Sequence, residues 1–248
     1  MKVCLSFDDG RSDQYTNAFQ ILKEFGLTAS FHVTTGFIDG SFGDGCFGTN
    51  RLPMTKAQLV EMKDSGMDIS SHGDKHVMNS EDYALSVDKL NEWGVGQGKI
   101  GFSVPNSAYS HDELAKFVKE NKNISYVRVG RHNKCYSFLN KIRFVLYNKL
   151  HFPMCYNSFN RHNLMFSPDK YSFYSLVIRN TTRFKDLKKF LEIHSNKDCA
   201  LVIMLHSVIE EPKNCWEWSM SNFKQLCQFL SESPNLKVEN LQQLCEGI

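Results

Sequence analysis

The chain is read as an α/β protein built as a parallel barrel, closed or nearly closed, of about seven strands. Short apolar runs alternate with stretches of helical period along the whole sequence, the pattern of parallel β/α units. About seven such units can be counted, a number that suits a barrel. The residues able to do chemistry fall just after the ends of the apolar runs, and parallel β/α architectures gather their sites on that face. A doubly wound open sheet is the alternative.

The apolar run from Lys2 to Ser6 opens the chain as a buried strand, and Asp8, Asp9 and Gly10 end it. A helix follows over 13–25, with Ala18, Ile21, Leu22 and Phe25 on one face and Gly26 at its stop. Ala29 to Val33 is the second strand. The loop after it carries Gly36, Gly40, Gly43, Gly45 and Gly48, and is long enough for a lid or a binding loop. Thr55 and Gln58 have capping-box spacing for a helix that stops at Gly66, and Met67 to Ser70 is the third strand. A helix over 81–93 and a strand over 99–103 come next. Ser110 and Glu113 cap a helix to about Asn121, and a strand covers 126–129.

Residues 130–170 are the least regular part, although Phe138, Leu139, Ile142, Val145, Leu146 and Leu150 have helical spacing. A strand over 171–178, a helix over 184–194 and the plainest buried strand, over 199–205, follow. A helix over 222–231, a strand over 236–238 and a short helix finish the chain.

At 248 residues the sequence is taken as one domain, 1–248, with an irregular basic insertion at about 130–170. A net charge of +2 gives no reason to expect a nucleic-acid partner. No apolar run is long enough to span a bilayer, and the N-terminus enters the first strand directly. The eight cysteines form no C-x-x-C pair. Reduced thiols in the cytoplasm are therefore expected.

Adjacent carboxylates such as Asp8 and Asp9 repel, so either one is protonated or a cation lies between them. A metal resolves the conflict, with one Asp as ligand and the other free to take a proton. The plain structural alternative is a strand-to-helix turn with an Asp cap. His72 and His76, Pro105 and Asn106, and His206 also follow predicted strand ends. The spacing of four between His72 and His76 lets both rings face one ion, on a helical turn or in a compact loop. Two imidazoles and one carboxylate leave positions open for water and substrate, as a hydrolytic metal requires. This set fits zinc, with cobalt, nickel and iron as alternatives, and it also matches the triad of non-haem iron oxygenases. The usual scaffold of those oxygenases is all-β, which counts against them here.

Ser6-Phe7-Asp8-Asp9-Gly10, His72-x-x-x-His76 and Leu205-His206 resemble the first, second and fifth motifs of the polysaccharide deacetylase family, the NodB-homology or carbohydrate esterase 4 family. The resemblance implies a distorted, incomplete (β/α) barrel and removal of acetyl groups from N-acetylated sugars with a divalent metal, most often zinc. It implies Asp8 as general base, Asp9, His72 and His76 as metal ligands, His206 as general acid, and Pro105 with Asn106 beside the oxyanion.

Two departures stand out. The family's third motif carries an Arg that orients the base, where this chain has Ser103. Its fourth motif supplies an Asp behind the acid histidine, where Val177-Ile178-Arg179-Asn180 has none, and Arg128, Arg131 and Arg179 are the candidates to substitute in space for what is missing. A catalytically weak or inactive carbohydrate-binding member of the fold is the alternative function.

From Asn121 through Pro168 there is no Asp or Glu, against eight Lys and Arg. The stretch reads either as a solvated basic face or as an anion site. On the second reading Arg128, Arg131 and Arg179 contact the phosphate of a phosphate-linked precursor sugar. The helix at Phe138–Leu150 then makes peripheral contact with a membrane.

Overall fold

In the computed structural model, which describes residues 1–43, 47, 51–96 and 98–248, the strands pair in nearly the order in which the chain supplies them. β1 (Lys2–Asp9) runs into a π-helical turn (Gln14–Phe19) and then α1 (Gln20–Glu24), so the helix expected over 13–25 is wound in two ways. β2 (Ser30–Val33) is followed by a short α2 (Thr35–Ile38) within the stretch expected to be a glycine-rich loop. Gly45 and Gly48 of that stretch lie outside the described residues. α3 (Lys56–Asp64), β3 (Asp68–Ser71), α4 (Ser80–Glu92), β4 (Ile100–Ser103), α5 (His111–Glu120) and β5 (Ile124–Arg128) come next. Both expected capping boxes, Thr55 with Gln58 and Ser110 with Glu113, are formed.

The irregular segment holds α6 (Phe138–Leu150), as its spacing predicted, and α7 (Pro153–Asn160), which the spacing did not reveal. β6 (Ser175–Val177), α8 (Phe184–His194) and β7 (Ala200–Leu205) follow. The paired β8 (Ser207–Ile209) and β9 (Glu217–Ser219), then α9 (Met220–Glu232), β10 (Lys237–Val238) and α10 (Leu241–Glu246) complete the chain.

The seven strands of the curled parallel sheet run β5-β4-β3-β2-β1-β7-β6, and β10 adds a short pairing to the start of β1. The strand expected over 171–178 is cut to three residues because the chain changes partner there. Phe173 exchanges hydrogen bonds of 2.9 Å with Val127 and Val129 beside β5, whereas Ser175 already pairs with Val202 of β7. The two sheet edges meet through a bridge at Arg128 and Phe173 in place of a full ladder, which leaves an incomplete (β/α) barrel.

Strand alternation sorts side chains between two environments. Val3, Leu5 and Phe7 of β1 join Phe31, Ile69, Leu201, Ile203 and Leu205 in the main core against the helices. The alternate residues face the barrel interior, and that interior is largely polar. Ser6 Oγ lies 3.2 Å from His32 Nδ1, His32 Nε2 lies 3.0 Å from the Tyr126 hydroxyl, and that hydroxyl donates to Asp68 at 2.6 Å. At the end where β1 begins, Cys4, Phe173 and Val202 pack with Leu241 and Leu244 of α10 and close the barrel.

Gly101 of β4 is packed against the face of the Tyr126 ring, where an added Cβ would run into three ring carbons. Gly101→Ala should therefore destabilise the fold by about 1–3 kcal/mol through overpacking. A urea midpoint equal to that of the unsubstituted protein would show that the ring has room to move.

Candidate active site

The site starts with a backbone reversal at the end of β1. Asp8 and Asp9 are still in the ladder, opposite His32 and Val33, but Asp9 has φ 81° and Gly10 φ 88°. Regular alternation would send the two carboxylates to opposite faces. The left-handed turn at Asp9 brings both into one cavity of about 270 Å³. Gly10 is required there, since positive φ strains a side chain and a Cβ would meet Ile38 Cδ1 at 3.0 Å. Five non-glycine residues with positive φ occur among the described residues, and four of them line this cavity: Asp9, His76, Asn106 and Ser107. Backbone strain of this kind concentrates where a site demands unusual side-chain directions.

His72 leaves β3 directly, its N–H bonded to the Val33 carbonyl at 2.9 Å. Its Nδ1 lies 2.8 Å from the Ser103 carbonyl, which can only accept, so the ring proton is on Nδ1 and Nε2 presents a lone pair to the cavity. The next turn is held by Asp82 of α4, which accepts from the Asp74 N–H at 2.9 Å and the Lys75 N–H at 2.8 Å. His76, at φ 57°, is thereby folded back over His72 in a compact loop. The two Nε2 atoms are 3.1 Å apart, and they lie 3.7 and 3.9 Å from Asp9 Oδ1. Two nitrogens and a carboxylate oxygen about 2.0–2.2 Å from a tetrahedral ion stand roughly 3.3–3.6 Å apart, so the three donors fit a divalent metal. Burial pushes His72 down to about 4, so the ring is neutral and able to ligate at neutral pH. Asp9 Oδ2 faces the other way, 2.6 Å from the Arg11 guanidinium in an ion pair that lies off the line of a hydrogen bond.

Asp8 has a different environment. Arg128, at the end of β5, reaches across the interior and donates to Asp8 Oδ1 at 2.6 Å. Ser103 Oγ accepts a further bond from Arg128 and lies 3.3 Å from the same carboxylate oxygen. Burial alone would raise the Asp8 carboxyl, but Arg128, helped by His72, His206 and His32, holds it well below the usual carboxylate range. His32, 3.8 Å from Asp8, is pushed down to about 3 by burial and by Arg128. Asp8 is thus an ionised carboxylate held beside the three donors and is not one of them.

His206 follows β7, and its ring packs on Trp216 with centroids 4.7 Å apart. Its Nδ1 is buried with no hydrogen-bond partner, and burial lowers its pKa. The Asp absent from the fourth-motif position is therefore not replaced by another carboxylate at Nδ1 among the described residues. Arg179 stands nearby, its guanidinium 4.9 Å from the Trp216 ring centroid. Pro105 and Asn106 form a tight turn after β4, with Pro105 buried and Asn106 on the cavity wall.

The expectation that Arg128 contacts phosphate is corrected. Arg128 is 1% exposed and its charge is spent on Asp8. Arg131 and Arg179 stack over Phe144 at 5.0 and 5.3 Å, outside this cavity. Sequence reasoning missed several residues that build the site. Gln14 is fully buried and its side-chain amide donates to the backbone carbonyls of Asp8 and His206, clamping β1 to β7. Asp13 accepts from the Val208 N–H at 2.8 Å. Arg11, Phe47 and Trp216 complete the cavity wall. The alternation Ser125-Tyr126-Val127-Arg128 was the available signal that Arg128 shares a face with Tyr126 inside the barrel.

A family model described as polysaccharide deacetylase matches residues 1–127. The Bacillus subtilis (strain 168) protein YxkH, whose name describes a polysaccharide deacetylase, is 32% identical over 75 residues. That match takes in 30% of this chain and 23% of YxkH, so less than a quarter of the relative's length is spanned. Among solved structures, the Xyl-CE4 domain of a multidomain xylanase from the hindgut metagenome of Trinervitermes trinervoides aligns with TM-score 0.55 at 13% identity, over 99% of this chain and 90% of that one. A family 4 acetyl xylan esterase from Clostridium thermocellum, in complex with a cobalt ion, aligns with TM-score 0.54 at 15% identity, over 98% and 90%. At these identities the likeness is one of fold.

The Asp8–Arg128 pair supplies a test of the site's electrostatics. A carboxylate with a lowered pKa contributes stability that is fully present above the ordinary carboxylate range and is lost as pH falls through the lowered value. Arg128→Met strands that charge in the interior and should destabilise the protein by about 3–5 kcal/mol at neutral pH. The deficit should shrink in mild acid, where the unpaired Asp8 takes up a proton. Unfolding curves that coincide with those of the unsubstituted protein at neutral pH would show that Arg128 is not the charge that compensates Asp8.

Proposed function

Because the chain belongs to the polysaccharide deacetylase family, we propose that it is a metal-dependent hydrolase that removes the N-acetyl group from an N-acetylated sugar, with residues 1–248 acting as one domain. The observation that carries this reading is the division of labour between neighbouring carboxylates. Asp9 stands with His72 and His76 as a donor set, while Arg128 and Ser103 keep Asp8 ionised and apart from it. Asp9, His72 and His76 would hold one divalent ion, which when bound supplies the positive charge that acidifies water and polarises the acetyl carbonyl. Two imidazoles and a carboxylate suit zinc, with cobalt, nickel or iron as alternatives, and the Clostridium thermocellum relative's cobalt supports a first-row metal.

In this mechanism Asp8 takes the proton of the water that adds to the acetyl carbon. Arg128 lowers its pKa, which weakens it as a base but keeps it in the ionised form that can accept a proton. Arg128, a positioning residue, does from β5 what the family's third-motif Arg does from the strand before it, and Ser103 leaves the room that Arg128 occupies. The Asn106 backbone N–H, on the cavity wall beside Pro105, is assigned to the developing oxyanion. His206, as an acid stacked on Trp216, gives a proton to the sugar nitrogen as the C–N bond breaks. Acetate and the free amine are the products.

His206 also favours the second reading, a sugar-binding member with weak turnover, because among the described residues no carboxylate stands at its Nδ1 to stabilise the protonated ring. Three substitutions separate the two. Asp8→Asn and His206→Ala should each keep a full equivalent of metal while losing at least about a hundredfold in acetate release. His76→Ala should lose the metal itself by elemental analysis. Normal turnover of His206→Ala on an amide substrate would remove that residue from the acid role, and metal loss in Asp8→Asn would mean that the two aspartates have exchanged roles.

The substrate is proposed to be a surface polysaccharide or its cytoplasmic, phosphate-linked precursor, with no nucleic acid involved. Arg179, beside Trp216, and Arg131, beside Phe144, are the candidate phosphate contacts. A cytoplasmic setting is supported by the free thiols of Cys4, Cys135, Cys155, Cys199, Cys215, Cys227 and Cys245. A diphosphate-linked N-acetyl sugar should bind more tightly than the free sugar, and that preference should fade with salt. Equal affinity for the two at low ionic strength would leave both arginines without that role.

A further inference from the structure

α6 is turned inside out relative to an ordinary surface helix. Its inward face is Asn140, Phe144 and Tyr147, and Tyr147 bonds Asp186 of α8 at 3.1 Å. Its outward face is apolar: Phe138, Leu139, Ile142, Val145 and Leu150 are all exposed, Phe138 by 77%. Phe152 and Met154 prolong the apolar surface past the helix, Met154 at 79% exposed. Eight of the fifteen large apolar side chains exposed among the described residues fall within residues 136–154. A patch this dense marks a surface that meets something other than water.

Charge decides what that is. The helical period places Lys141 and Arg143 along the two borders of the apolar face and Lys149 within it. Residues 121–168 contain no carboxylate side chain to offset these cations. A cavity of about 370 Å³ beside this segment is lined by Lys134 and Arg161, with His132, His162 and the carboxylate of Asp169. Burial, helped by the nearby charges of Arg161, Lys134 and Arg143, lowers His162, which places Arg143 of α6 and this cavity in one electrostatic neighbourhood. A second copy of the chain packed by two-fold symmetry would set these cations against their own kind. Apolar side chains ringed by Lys and Arg suit acyl chains beneath negative headgroups, with the long basic side chains reaching up to the phosphates. α6 is about 20 Å long and no helix among the described residues is long and apolar enough to cross a membrane, so the contact is interfacial.

We propose that the outward face of α6 and the turn into α7 form a docking surface for an anionic lipid bilayer. The inward side of the same helix connects to the wall of the catalytic cavity through intervening side chains. Arg179 stacks on Phe144 and on Trp216, and Trp216 stacks on His206. Docking through α6 therefore sets the bilayer on the same side of the molecule as the Trp216 wall of the cavity, which, on the proposed function, suits a sugar carried on a lipid phosphate.

The test is co-sedimentation of the full chain with vesicles, without substrate, so that its result does not depend on the catalytic reading. Vesicles of phosphatidylcholine with phosphatidylglycerol should bind the protein, phosphatidylcholine alone should bind it far less, and added salt should release it. Ile142→Ser with Val145→Ser should weaken binding by about tenfold or more. Lys141→Gln with Lys149→Gln should weaken it by about fivefold for each charge removed. All four side chains are solvent-facing or at the border of the exposed face, and unchanged thermal unfolding of either double variant confirms that the fold is kept. Absence of binding to the anionic vesicles at low salt, or binding that neither double variant weakens, overturns the proposal. So does a dimer in sedimentation velocity that Ile142→Ser with Val145→Ser dissolves, since the face would then serve self-association.

Discussion

Asp8 is a carboxylate withdrawn from water, and an isolated charge in that position would cost more than a fold of this size can absorb. Arg128 offsets that cost from the opposite wall of the barrel, with Ser103 bonded to both partners. The pair spans strands that are not neighbours: β1 is central in the sheet and β5 is at its far edge. Only a sheet curled back on itself brings them within hydrogen-bond distance. The ion pair and the curvature therefore require each other, and the rest of the interior follows the same logic. Ser6, His32, Tyr126 and Asp68 extend a polar column from the catalytic end toward the opposite end, each satisfied by the next.

That column explains how two adjacent aspartates acquire different chemistry. A strand offers one interior position at its end, and Asp8 occupies it. Asp9 enters the same cavity only through the left-handed turn that Gly10 then continues. Asp8 meets a guanidinium with no proton to lose, while Asp9 meets two imidazoles across a gap suited to an ion. Strained backbone at His76, Asn106 and Ser107 serves the same end, aiming groups from two further loops into the same small volume.

The basic segment stands in a comparable relation to the cavity. α6 and α7 lean on the barrel through Phe144, Tyr147, Tyr156 and Phe159, and the aromatic layer continues through Arg179 to Trp216 and His206. Arg131 and Arg179 are held by ring faces, and neither has a carboxylate partner among the described residues. An excursion of the chain that would otherwise be decoration thus shares a wall with the chemistry.

Much of this was legible in the sequence, because local rules govern it. Alternating apolar and amphipathic stretches are set by strand and helix periods, so the β/α order, both capping boxes and the span of α8 were readable directly. The strand-end positions of Asp8, Asp9, His72, His76 and His206 followed from the same alternation, and their motifs pointed to the family. What the sequence could not decide lies across the barrel. Which of Arg128, Arg131 and Arg179 reaches Asp8 depends on curvature summed over seven strands, and no local spacing encodes that sum. The partner change that shortens β6, the clamp of Gln14 on the backbone of Asp8 and His206, and the outward turn of the apolar face of α6 are likewise long-range outcomes. A helical period reveals that a helix has an apolar side. Only packing reveals whether that side is buried.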